Sequence, residues 1–139
     1  MRMRILAVDH GQKRIGLAIS DETGAPARPL LVLPHVSRVV DAATVAERAA
    51  AHAAAQIVVG ASYDEDGQLN MAGRSAARFA EALRLQTALP VLLWDESLTT
   101  QDARAARLTV GANRKKRSGH LDDVAAAVLL QNYLDSHPR

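Results

Sequence analysis

Five carboxylates in this sequence stand where they can act together: Asp9, the neighbours Asp95 and Glu96, and the neighbours Asp122 and Asp123. Asp9 ends the apolar run ILAVD. Asp95 and Glu96 end the run PVLLWDES. Asp122 and Asp123 open the long apolar segment DDVAAAVLLQNYLD. Three carboxylates in one place repel, and their pKa values rise unless a cation lies among them. Hard oxygen donors of this kind suit Mg²⁺ or Mn²⁺. Two such ions, roughly 4 Å apart, activate water and stabilise the leaving oxygen in phosphodiester cleavage. The five histidines show no HxH or HxxxH spacing, so a zinc site is not expected.

Each acid also has a plainer explanation. Asp9 can be a turn residue that bonds its own backbone before Gly11. Acids at a helix start are favoured by the helix dipole, which covers Asp122 and Asp123. In a strand ending WDE, neighbouring side chains point to opposite faces, so only one of Asp95 and Glu96 can join Asp9. Periodicity does not say which.

Cations accompany the acids. The turn DHGQKRIG places Lys13 and Arg14 beside Asp9, with glycine amides of the kind that cradle phosphate oxygens. A second basic stretch, Arg114, Lys115, Lys116 and Arg117, stands just before the Asp122 segment and suits a nucleic-acid backbone. Both are otherwise ordinary solvated charges.

These side chains need a frame. Residues 4–9 and 14–21 read as two strands joined by a short glycine turn, a hairpin. Residues 29–34 read as a third strand. Ser37 is placed to cap a helix over 38–54, and 56–62 reads as a buried strand. A helix over 71–87, a strand over 90–97 and a helix over 101–109, capped by Thr99 or Thr100, follow. A final helix over 120–136 is apolar nearly all round and should be well buried. The order βββαβαβαα predicts an α/β fold, a five-stranded mixed sheet with helices on its faces. Asp9 then sits at the carboxyl end of a strand, where open α/β sheets bind ligands.

Bulk composition is consistent with this. A chain of 139 residues, 48% hydrophobic, forms a single domain with a real core. There is no cysteine, so no disulfide framework or thiolate metal site. No apolar stretch reaches membrane-spanning length and no signal-peptide layout is visible, so the cytoplasm is the expected compartment. Basic residues outnumber acidic ones, 17 to 15, and most are Arg. Aromatics are only 3%, which argues against a base-stacking platform and for contact through phosphates.

The motifs AVDHGQKRIGLAISD, VVG at 58–60, DESLTT at 95–100 and LDDVAAAVLLQNYLD together resemble the YqgF family, also called RuvX, across nearly the whole chain. The family comprises nucleases linked to Holliday junction resolution and to pre-16S rRNA. The resemblance implies the ribonuclease H-like fold. It also implies that Asp9, Glu96 and Asp122 are the catalytic, metal-binding acids, with Asp123 on a variable position. Lys13 and Arg14 match the family's basic pair. Two departures stand out: Ser97 replaces a family Arg, and Ala61–Ser62 replace a Leu-Pro pair.

The expected activity is therefore a Mg²⁺- or Mn²⁺-dependent endonuclease, trimming the 5′ end of pre-16S rRNA or, alternatively, cutting Holliday junctions in recombination. The expected partner is nucleic acid, with no membrane. The chain is expected to act as a monomer or a homodimer; symmetric junction cutting needs the dimer. Two other classes compete. A non-catalytic RNA-binding or transcription-associated module would not need the acids intact. An actin-like ATPase would need a second domain, for which this length leaves no room.

Overall fold

The computed structural model describes residues 3–23, 26–96 and 122–137. They form five strands and three helices: β1 (Ile5–His10), β2 (Arg14–Ile19), β3 (Arg28–Pro34), α1 (Arg38–Ala51), β4 (Gln56–Ala61), α2 (Met71–Arg84), β5 (Val91–Asp95) and α3 (Asp122–Ser136). The helix expected at 101–109 with its Thr99 or Thr100 cap, Ser97, and the basic residues Arg114, Lys115, Lys116 and Arg117 lie outside the described residues.

The strands make one sheet in the order β3-β2-β1-β4-β5. β1–β2 and β2–β3 pair antiparallel, as a hairpin and its extension require. β4 lies parallel to β1, and β5 parallel to β4. The sheet is mixed, as the element order predicts. Pro29 and Pro34 lie on β3, an edge strand, where a missing N–H is tolerated.

Alternation along the strands sorts the two faces. Leu6 and Val8 of β1, Ile15, Leu17 and Ile19 of β2, and Ile57 and Val59 of β4 pack with Val45 of α1 and with Phe79 and Leu83 of α2. The alternate residues Ile5, Ala7, Ala18 and Val58 pack instead against Ala126, Leu130 and Tyr133 of α3. Bulky side chains thus hold α1 and α2 on one face. Ala7, Ala18 and Gly16 let α3 lie close on the other. This is the period-two pattern of a sheet covered on both sides.

Helix ends follow capping chemistry. The Ser37 side chain accepts a hydrogen bond from Val40 N at 3.2 Å, as predicted for the α1 cap. α1 stops at Ala51, before the predicted residue 54. Ala53 takes a left-handed φ of 55°, and Ala55 N donates to Arg4 O at 2.8 Å. The alanine run favours helix, but pairing with the sheet turns the chain away first. α2 likewise ends at Arg84, before the predicted residue 87.

Candidate active site

Asp9 lies in β1 opposite Gly16 of β2. Alternation places it on the face of Ile5 and Ala7, which is covered by α3. On the other flank the β1–β4 register ends at Val8–Val59, and Gly60 is the next residue along β4. Asp9 therefore stands between two glycine-bearing strands.

Gly16 admits the backbone at the start of α3, and Gly60 admits the Glu96 side chain. A Cβ on Gly16 would lie 2.0 Å from the Asp122 carbonyl oxygen and 2.8 Å from Asp123 N. The first turn of α3 thus rests directly on the β2 backbone beside Asp9. A Cβ on Gly60 would lie 2.6 Å from Glu96 Oε1 and 2.8 Å from Leu129 Cδ2 of α3. The Glu96 carboxylate therefore lies over Gly60, on the α3 face.

The same packing separates Asp95 from Glu96. Leu92 and Trp94 of β5 pack on the α3 side, and Leu93 packs on the α1–α2 side. Continuing the alternation, Asp95 follows Leu93 to the far face. Glu96, just beyond the strand, turns back to the face of Asp9.

All three acids are half-buried. Asp9, Glu96 and the backbone of Asp122 share one face and one end of the sheet, yet among the described residues no three or more His, Asp or Glu side chains are close enough together to hold a single ion. The donors are hard carboxylate oxygens and fit Mg²⁺ or Mn²⁺ in kind. Asp123 is buried, with 3% of its surface exposed, so it belongs to the packing of α3 and not to a solvated helix start.

His10, next to Asp9, points the other way. Its ring stacks on Phe79 with centroids 4.6 Å apart. Burial lowers its pKa from the ordinary value, opposed by Asp41 and reinforced by His35 and Arg38.

Lys13 lies in the β1–β2 turn and Arg14 begins β2; both are exposed. Gly11 N donates to Arg14 O at 2.9 Å, and a Cβ on Gly11 would lie 2.7 Å from that same oxygen. The tight turn needs glycine there. It carries both cations at the end of the sheet where Asp9 lies.

Ser62 ties the end of β4 to the start of α2. Its hydroxyl donates to Asn70 Oδ1 at 2.7 Å, and Asn70 Oδ1 also accepts from Gly73 N at 2.8 Å, capping α2. Ser62 O accepts from Asn70 N at 3.2 Å. A Cβ on Gly73 would lie 2.1 Å from Ser62 O. The start of α2 is thereby fixed to the end of β4, two residues beyond Gly60.

The role of Gly16 and Gly60 is what sequence reasoning missed. The available signal was an isolated glycine inside an apolar strand, which marks a close approach of other groups.

A mixed sheet in this order, covered by helices on both faces and with its acids at one end, is a ribonuclease H-like fold. The solved structure of Thermus thermophilus RuvC in complex with a Holliday junction substrate shares it, with a TM-score of 0.62 at 16% identity, over 98% of this chain and 97% of that one. The chain belongs to the RuvX family, whose model, described as Holliday junction resolvase, matches residues 3–136. Curated relatives matched over nearly their whole length agree. One from Syntrophus aciditrophicus, named "Putative pre-16S rRNA nuclease", is 37% identical over 96% of this chain and 89% of its own. One from an Anaeromyxobacter species, with the same name, is 39% identical over 96% of this chain and 97% of its own.

Proposed function

We propose that this chain is a single-domain, divalent-metal-dependent endonuclease that matures the 5′ end of pre-16S rRNA in the cytoplasm. The observation that carries the reading is the convergence of Asp9, Glu96 and the start of α3 on one face, made possible by Gly16 and Gly60. The names of these curated relatives support the RNA substrate.

Asp9, Glu96 and Asp122 are the residues that would hold Mg²⁺ or Mn²⁺, which when bound would supply Lewis-acid activation of water and of the scissile phosphate. Lys13 and Arg14 bind the phosphates beside the cut, and Arg114, Lys115, Lys116 and Arg117 extend the contact along the backbone. Exposed cations suit this task because phosphate binding needs charge more than buried geometry. A four-way DNA junction is the second substrate to consider, because the family model carries the resolvase description.

The test is a cleavage panel in Mn²⁺: precursor 16S rRNA, unrelated single-stranded RNA and a four-way DNA junction, each with wild type and Asp9→Asn. Preferred cutting of the precursor, lost in Asp9→Asn, is the expected result. Preferred cutting of the junction would replace the RNA assignment. Tight binding without cleavage of any substrate, or an Asp9→Asn protein as fast as wild type, would overturn the nuclease reading.

A further inference from the structure

Asp41 is a buried carboxylate with a job that helix capping does not explain. It lies in the first turn of α1 with 3% of its surface exposed. An acid there is favoured by the helix dipole, but such acids are ordinarily solvated. The cap itself is Ser37, which already serves Val40 N. Both Asp41 carboxylate oxygens point instead at the link between β3 and α1. Oδ1 accepts from Val36 N at 3.0 Å, and Oδ2 lies 2.6 Å from His35 Nδ1.

That link in turn holds the basic turn. His35 N donates to Lys13 O at 2.9 Å. Arg14 pairs with Pro34 in the β2–β3 register. Asp41 thus fixes residues 35 and 36, and residue 35 fixes the backbone of Lys13. A long exposed lysine gains little from one fixed contact unless its backbone is fixed as well.

We infer that Asp41 and His35 are positioning residues that hold the Lys13 turn in place for a nucleic-acid phosphate. This rests on the reading of Lys13 as a phosphate-binding residue. Neither side chain touches the substrate; each acts through the peptide of Lys13.

The test reads the salt dependence of binding to a labelled precursor 16S RNA fragment in EDTA, where no cleavage occurs. Loss of one phosphate contact lowers the slope of log Kd against log salt by roughly one unit. Lys13→Ala should show that loss. Asp41→Ala and His35→Ala should each show part or all of it, and neither should lower the slope further when combined with Lys13→Ala. In cleavage assays, KM should rise more than kcat falls. A merely structural role would lower the melting temperature without moving the slope, or would add to the effect of Lys13→Ala; either result overturns the inference. If Asp41→Ala does not fold, His35→Ala decides the matter, because its side chain is 41% exposed and its loss is tolerable. A reduced slope in Lys13→Ala with normal slopes in both others refutes the inference and leaves the Lys13 reading standing. An unchanged slope in Lys13→Ala itself refutes that reading, and the inference with it.

Discussion

Glu96 Oε1 lies 2.6 Å from the point where a side chain on Gly60 would begin. One strand residue is therefore small so that a carboxylate from the next strand's end can lie over it. Gly60→Ala should displace Glu96 without unfolding the protein. The clashing atoms, Glu96 Oε1 and Leu129 Cδ2, are the ends of flexible side chains and can swing aside. Cleavage should fall by about ten-fold or more, equivalent to ~1.4 kcal/mol of transition-state stabilisation. Cleavage kinetics beside a thermal melt check this. A wild-type rate would mean that the position of Glu96 does not matter to the reaction.

Gly16→Ala should behave differently, because its neighbour is backbone. The new Cβ would lie 2.0 Å from Asp122 O and 2.3 Å from Asp122 C. No rotamer change relieves that contact, so the start of α3 must lift off the sheet. Stability should drop by about 1–3 kcal/mol or more, as in other overpacked cores. Chemical denaturation gives the drop, and activity should be lost even where the variant is folded.

Asn70→Ala removes the α2 cap and the partner of the Ser62 hydroxyl. The expected loss is ~1 kcal/mol. Ser62→Ala should lose less, because the cap bond to Gly73 N remains. Urea midpoints for the two variants would order them; the reverse order would place the weight on the hydroxyl.

His10 makes stability fall in acid. Burial lowers its pKa below the ordinary 6.5, so the folded state binds fewer protons than the unfolded state as pH drops through that value. The penalty is absent well above pH 6.5, grows below it, and levels off once the folded-state pKa has been passed. His10→Phe keeps an aromatic ring against Phe79 and removes the titration. Between neutral pH and about 5, unfolding free energies measured in EDTA should fall less for this variant than for wild type. Parallel curves would show that His10 is protonated equally in both states.

Much of the frame was legible from local signals. Alternation in ILAVD, the glycine turn before Lys13, the Ser37 cap and the apolar run after Asp122 each act over a few residues, and each gave its element within a few positions. The ends of α1 and α2 were not legible. Alanine propensity continues past Ala51, while the pairing of Ala55 with Arg4 is set by a strand far away in sequence.

The site divides in the same way. Residue type and spacing, joined to the family resemblance, pointed to Asp9, Glu96 and Asp122. Spacing alone left Asp95 and Glu96 equivalent. The faces were assigned by Trp94 packing toward α3 and Leu93 packing away from it. The meaning of Gly16 and Gly60 depends on α3 and the end of β5 arriving above them. The meaning of Asp41 depends on the β3–α1 link folding back to Lys13. Such contacts join residues distant in the chain, and the short-range periodicities that specify a strand or a helix carry no record of them.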